Sequence, residues 1–392
     1  MIKSYSIVIN EVDEVELALE ELRSQLSKLK LLENTVGIVT VNKDFVVSGV
    51  YSAIAKATPF PLVGLTSYSQ VVNGKIGTFM FSIMVLTSND CEFACGMSEA
   101  VPDTGDVKEQ VQKCYKDLRS KLNNNVKLVF LYPNFMYGHY PNQYIKAITE
   151  IDSKIPIFGS QSNGEIIDAA TSARTLYREN ISNNQVAMLL VSGNVKPKFY
   201  LGSTTKESIM MPDIGIVTAA EGNCLLEINN IKAKQFLENA NLKPDSANQK
   251  PIFFSTFIAD EKNEKGEILS SVVKSLVMPK DDAYLFACGV QVGTSLSAIS
   301  FTGEVVMETA KDVMEQIKAK HKEGTLIIYS CLGRRAALLN EPYKEFELMS
   351  KILGNNFNYI ATCSGGEICP TSVTETEIVN NEHNETLIAC IL

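Results

Sequence analysis

The chain has 392 residues, 45% of them hydrophobic and 21% charged, with a formal net charge of -9. That length exceeds what one hydrophobic core usually serves, so two domains are expected, and the balance is that of a globular protein. The acidic excess, with no basic block interleaved with aromatics, argues against nucleic acid as a partner.

The N-terminal MIKSYSIVINEVDEVELALEEL carries acids where a secretory leader needs an uninterrupted apolar stretch. The longest apolar runs, such as VAMLLV and TLIIY, fall far short of the roughly 20 residues of a spanning helix. A cytoplasmic protein without a membrane span is the expectation. Nine cysteines then read as reduced, buried thiols, and their odd number argues against a closed disulfide framework.

In chain order, EVDEVELALEELRSQLSKLKLL predicts a helix, with acids early and lysines late as the helix dipole prefers. The strand NTVGIVTVN, the helix DFVVSGVYSAIAKA with Asp44 as N-cap, and the strand PFPLVGLTS make a parallel crossover. Asn73-Gly74 then marks a hairpin inside VVNGKIGTFMFSIMVLTS, and CEFACGMSE adds a strand. A helix over about 106–122, the strand VKLVFLYPN, a helix over about 140–152 and IPIFGSQSNGEI form a second crossover. VAMLLVSG and VKPKFYLGS close the half as neighbouring strands.

Between 202 and 220 the composition turns to Gly, Ser, Thr and Met-Met-Pro, which places a domain boundary there and divides the chain into 1–205 and 215–392. The second half opens with a hairpin turning at Glu221-Gly222-Asn223, followed by the helix IKAKQFLENANL, stopped by Pro244. PIFFSTFIA, EILSSVVKSLVMP, AYLFACGVQ and SLSAISFTG read as strands, and ETAKDVMEQIKAKHK as a helix with Glu304 at its start and Gly324 at its end. TLIIYSCLGRRAALL runs strand, turn, helix; the helix EFELMSKILG leads to FNYIATCSGGEICP, and ETLIACIL ends the chain as a strand. The fold class is α/β (mixed α+β): two domains, each a mixed sheet with parallel crossovers and antiparallel hairpins flanked by helices. Each half holds a strand running into a Gly-Glu turn, Gly164-Glu165 and Gly366-Glu367.

Four stretches of the second half, VTAAEGNCLLEINNIKA at 217–233, YSCLGRRAAL at 329–338, TCSGGEICP at 362–370 and HNETL at 383–387, together resemble the FIST C-terminal domain. The first half resembles its FIST N-terminal partner, although PLVGLTSYSQV at 61–71 lacks the cysteine and the Gly-Glu of that domain's pattern. The resemblance implies a cytoplasmic sensory module that binds small ligands, amino acids among them. Such modules accompany kinases, cyclases or chemotaxis receptors in bacteria and F-boxes in eukaryotes. No such segment is evident here, so the output would pass to a signalling partner in trans.

The candidate site follows from these motifs. The strand TLIIY ends at Ser330-Cys331, and a helix beginning near Gly333 would offer free N–H groups to an anion. Arg334 and Arg335 add guanidinium forks that fit a carboxylate, or else pair with acids such as Glu341. Ser364, Gly365 and Gly366 form a bare turn that permits positive φ and close approach, and Glu367 after it would accept from an ammonium group or cap a nearby backbone. If the two strands are neighbours, both turns lie at their carboxyl ends, where ligands gather in α/β sheets. The family resemblance adds His383 and Asn384.

As an alternative, Cys331 at a helix start and beside two arginines has the setting of a low-pKa nucleophile, with His383 or His321 as its base. No cysteine-hydrolase signature and no G-x-S-x-G elbow accompany it. Cys91 with Cys95, and Cys363 with Cys369, lack metal-site spacing. GSQSNGE and GVQVGTS are neither P-loop nor Rossmann fingerprints, so no cofactor or metal is expected. A third class, a protein-interaction scaffold, would present a large exposed apolar patch.

Overall fold

Three copies of one supersecondary unit, and a barrel inserted into the third, account for the strands among the described residues. The computed structural model describes residues 2–103, 105–135, 139–164, 169–242, 255–262, 266–374 and 377–392. The first copy is β1 (Lys3–Ile9), α1 (Val15–Leu26), β2 (Asn34–Val41), α2 (Lys43–Val47), α3 (Val50–Ala57), β3 (Leu62–Thr66), the hairpin β4 (Gln70–Val72) and β5 (Lys75–Gly77), and β6 (Phe81–Ser88). The second is β7 (Cys91–Met97), α4 (Lys108–Arg119), β8 (Val126–Tyr132), α5 (Pro141–Thr149), β9 (Ile157–Ser160), α6 (Ala169–Ser172), the hairpin β10 (Thr175–Tyr177) and β11 (Asn180–Ser182), and β12 (Ala187–Gly193).

The third copy begins at β13 (Lys198–Gly202) and is interrupted by β14 (Ile209–Glu221), β15 (Cys224–Ile228), β16 (Ile231–Lys232), α7 (Ala233–Asn239), β17 (Thr256–Lys262), β18 (Ile268–Lys280), β19 (Ala283–Phe286) and β20 (Ser295–Ile299). It resumes with α8 (Gly303–Lys320), β21 (Gly324–Cys331), α9 (Leu332–Ala337), α10 (Lys344–Leu353), β22 (Phe357–Ser364), the hairpin β23 (Glu367–Val373) and β24 (Ile378–His383), and β25 (Leu387–Ile391).

Each copy builds four strands of a sheet, in the orders β1-β6-β2-β3, β7-β12-β8-β9 and β13-β25-β21-β22, and lends its hairpin to another copy. The hairpin β10-β11 completes the first sheet, β23-β24 the second and β4-β5 the third. In every sheet the central pair is parallel, β2 with β3, β8 with β9 and β21 with β22, and all other pairs are antiparallel. The parallel pairs need crossovers, which α2 and α3, α5, and α9 and α10 supply.

The sheets are covered on both faces, which is why their central strands read as unbroken apolar runs. Their inner faces share one core, with Ile38 and Val63, Phe130 and Phe158, and Tyr329 and Ile360 drawn from the three copies. Each outer face packs under its own helices: Leu22 and Tyr51 in the first copy, Leu118 and Ile148 in the second, Met314 and Met349 in the third. Each such fully buried side chain contributes about 1.5–3 kcal/mol, before the entropy of ordering it. In the inserted unit, β14-β20-β17-β18-β19-β15 closes on itself through β14 and β15, around Val217, Leu225, Phe257, Leu276 and Phe286.

The fold class is the expected mixed α/β, with parallel crossovers and antiparallel hairpins flanked by helices. Two local readings are corrected. The stretch 43–57 is two helices, not one, because Gly49 at φ 82 breaks it, and its cap is Asn42, whose side chain accepts from the Asp44 N–H at 3.0 Å. VAMLLVSG and VKPKFYLGS are not neighbours: β12 sits between β7 and β8, whereas β13 opens the third copy and pairs with β25. The expected boundary at 205–215 falls where the chain passes from β13 into the inserted barrel. Pro244, Glu165 and the first residues of PIFFSTFIA lie outside the described residues.

Candidate functional site

β21 and β22 are parallel neighbours, with Cys331 registered against Ser364, so the turns that follow both strands meet at their carboxyl ends. The bare turn after β22 has a specific visitor. Gln161 after β9 donates its N–H to the Gly366 carbonyl at 2.9 Å and accepts from the Gly365 N–H at 3.1 Å. A Cβ on Gly366 would lie 2.5 Å from Gln161 Oε1, and one on Gly365 would lie 3.0 Å from the Ser162 carbonyl. Neither glycine has a positive φ. These positions are glycine for close approach, and the conformational half of the expectation does not apply.

Glu367, at the start of β23, is fully buried. Its Oε2 accepts from the Thr386 N–H at 3.4 Å, while its Oε1 has no partner. Beside it is Glu385, also buried, with Oε1 accepting from Ser275 Oγ of the inserted barrel at 3.2 Å and Oε2 without a partner. Glu385 holds φ 50, a left-handed conformation that costs a non-glycine residue of order 1 kcal/mol or more. Its carboxyl lies against Gly333, where a Cβ would come within 2.2 Å of Oε2, so a larger residue on α9 would have to displace that carboxyl.

Burial pushes the Glu367 carboxyl well above the usual carboxylate range, and the nearby Glu385 adds to it, against the nearby Ser364 hydroxyl, the Thr386 N–H and the charge of Arg334. Burial likewise raises Glu385 to about 7, against the Ser275 hydrogen bond and Arg334. The Cys331 thiol, in the same cluster, is raised well above its ordinary value by burial and then by both carboxyls. This is the reverse of nucleophile activation.

The remaining expected site residues go elsewhere. Ser330 Oγ donates to Glu345 Oε2 at 2.6 Å. Arg334 is 0% exposed and donates from Nε and Nη2 to Glu345 Oε1 at 2.9 and 2.6 Å, from Nη2 to the Val306 carbonyl, and from Nη1 to the Gly202 and Glu385 carbonyls. Its acid is Glu345; Glu341 instead pairs with Lys344. Arg335 turns the other way, with its guanidinium 4.5 Å from the Tyr68 ring centroid and 5.1 Å from that of Tyr343, and one long hydrogen bond of 3.4 Å to Ser69 Oγ. The helix carrying both arginines has only six residues, too short for an N-terminal anion site.

His383, opposite Glu367 in the ladder, is buried, and its Nε2 lies 3.0 Å from the Cys369 carbonyl. Burial lowers it to about 4, so at neutral pH the ring is uncharged and Nε2 donates to that carbonyl. Among the described residues no hydrogen bond joins it to Cys331. Asn384 docks the inserted barrel: its N–H donates to the Val273 carbonyl at 3.2 Å, and its Oδ1 accepts from the Ser275 N–H at 3.4 Å.

Sequence reasoning passed over Glu385, although it lies inside HNETL, because an acid in a polar run before a strand reads as solvated. It also missed the buried Lys274 and Glu382, whose Nζ and Oε1 are 3.8 Å apart. Lys274 donates to the Gly289 carbonyl at 2.6 Å, and Glu382 accepts from the Gly289 and Asn142 N–H groups, each at 2.8 Å. A cavity of about 630 Å³ opens at the other end of β21 and β22, lined by Ser4, Asn73, Thr325 and Asn358 among others. Those side chains bond one another, Ser4 with Thr325 and Asn73 with Asn358, and leave no unmet buried acceptor there; the acid pair is the better candidate.

Residues 35–231 match the model of the FIST N domain and residues 233–370 that of the FIST C domain. No curated protein matches. Among solved structures, the crystal structure of a cyanuric acid hydrolase from A. caulinodans aligns over 100% of this chain and 99% of its own, at 9% identity and a TM-score of 0.35. A likeness that weak says nothing of this chain's activity.

Proposed function

From the premise that the chain belongs to the FIST family, whose domains are sensory domains of signal-transduction proteins, we propose that it is a sensor binding a small amine-bearing ligand, an amino acid foremost, at Glu367 and Glu385. One observation carries this reading: two buried carboxyls lie in one cluster, each with an oxygen left without a hydrogen-bond partner among the described residues. An unmet buried acceptor costs about 1–3 kcal/mol, and more when charged, so a matched donor gains that much on entering. An ammonium group supplies three donors.

The test is a thermal-shift panel of amino acids and small amines, with carboxylates lacking an amine as controls. Amines raise the melting temperature and the controls do not, because a ligand that prefers the folded state stabilises it. Glu367→Gln removes the response while the protein stays folded; an unchanged response in that variant rejects the site.

An adaptor role is the second reading, with a signalling protein in trans as the partner. It is favoured by exposed apolar side chains on the inserted barrel and its loop, Met210, Ile216, Leu269 and Val292, which are 55%, 51%, 58% and 62% exposed. The sensor reading stands ahead of it because the costly features, buried acids and a left-handed glutamate, are at the strand ends.

A further inference from the structure

Resting on that ligand reading, we infer that in the empty protein Glu367 and Glu385 hold one proton between them, and that a cationic amine displaces it, so that sensing is coupled to pH. Glu367 Oε2 accepts from the N–H of Thr386, the residue after Glu385, which sets the two carboxyls in one cluster. Two ionised carboxylates in one buried cluster, each lacking a protein donor for one oxygen, repel one another more strongly than they would at the surface. A single proton held by the pair removes that repulsion.

The groups packed around the pair do not supply a competing charge. Arg334, from α9, faces both carboxyls, but its charge is matched by Glu345 from α10. Cys331, from the end of β21, and Cys288, from the segment after β19, are thiols kept protonated by burial, the second raised to about 12. On β24, His383 is uncharged at neutral pH and Glu382 is matched by Lys274 of β18. The cluster therefore arrives at the pair close to neutral, and one proton on two carboxyls leaves one negative charge. When a ligand ammonium enters, both carboxyls ionise, the cation sits between them, and the shared proton leaves to solvent.

The experiment uses the full chain and two readouts. Isotope-edited infrared spectroscopy of glutamate-labelled protein is expected to show a protonated carboxylic acid C=O band at about pH 6 that fades toward about pH 8. The Glu367→Gln/Glu385→Gln double variant should lack the band; the wild-type pH titration stands by itself if that variant fails to fold. Methylammonium is then titrated against the wild type across the same range, and its affinity should rise about tenfold per pH unit below the pair's midpoint. Absence of the band, its survival in the folded double variant, or a methylammonium affinity flat with pH overturns the inference. A titrating band with no binding of any amine at any pH keeps the shared proton, removes its displacement, and rejects the sensor reading instead.

Discussion

Arg334 and Glu345 form a buried ion pair, with Nη2 and Oε1 2.6 Å apart and side chains 0% and 4% exposed. The same guanidinium ties α9 to α8 through the Val306 carbonyl and the Thr309 hydroxyl. Removing one partner strands the other in a dry environment. Arg334→Ala is therefore expected to lose roughly 3–5 kcal/mol of stability, read as a lower urea midpoint. Replacing both partners with apolar residues, Arg334→Met with Glu345→Leu, should cost less than either single truncation. An Arg334→Ala midpoint close to wild type would show that the pair contributes little, and would return Arg334 to the list of ligand contacts.

The same pair shows what was legible in the sequence and what was not. Strand and helix periods were readable because the central strands are buried on both faces and the outer helices on one. Asn73-Gly74, with φ 48 and 87, is the hairpin its dipeptide announces. Arg334 was readable as important but not as satisfied, because its carboxylate lies on the next helix and its carbonyls on α8 and at 202 and 385. The exchange of hairpins between copies was also out of reach. Strand pairing across 290 residues, such as Val71 with Ala361, leaves no local pattern. Glu385 is the sharpest miss: nothing adjacent in sequence reports that Ser275 and Gly333 close over it.

Gly159 and Gly366 should respond differently to a methyl group. A Cβ on Gly159 would come 1.9 Å from the Leu131 carbonyl oxygen of the paired strand, and backbone cannot swing aside. Gly159→Ala is expected to cost roughly 3 kcal/mol or more. At Gly366 the obstruction is the end of the Gln161 side chain, 2.5 Å away, which can rotate. Gly366→Ala should cost less, and a Gln161→Ser second substitution should recover part of it. Denaturant midpoints of the three variants and the double-mutant cycle decide the matter; additive effects at 161 and 366 would contradict the contact.

All nine cysteines are buried, and none is in a disulfide. Burial raises Cys331 well above its ordinary value and lifts Cys363 to about 11. Thiolate is the reactive form, so a mild alkylating agent near neutral pH should leave the folded protein almost unlabelled and modify it fully once unfolded. Peptide mapping after a short exposure reads this directly. Selective early labelling of Cys331 would revive a nucleophile at that position, whereas Cys331→Ala should leave any ligand-induced thermal shift in place.

Glu385 and His383 pull the pH dependence of stability in opposite directions. With Glu385 raised from 4.5 to about 7, the folded protein keeps a proton that the unfolded chain has released, so this contribution is full below pH 4.5 and is lost as pH rises toward 7. With His383 lowered from 6.5 to about 4, the unfolded chain takes up a proton that the folded protein refuses, so its contribution is full above pH 6.5 and is lost as pH falls toward 4. Each shift corresponds to on the order of 3 kcal/mol, and between pH 4.5 and 6.5 the two slopes largely cancel. Glu385→Gln removes one of them. In that variant the urea midpoint should fall more steeply than in the wild type as the solution is acidified across this window, and above pH 7 the variant should match or exceed the wild type, since the Glu385 carboxyl is no longer there to be ionised. Parallel curves for the two proteins would show that Glu385 ionises at its ordinary pH, and with that the case for a proton shared in the buried pair would lose its footing.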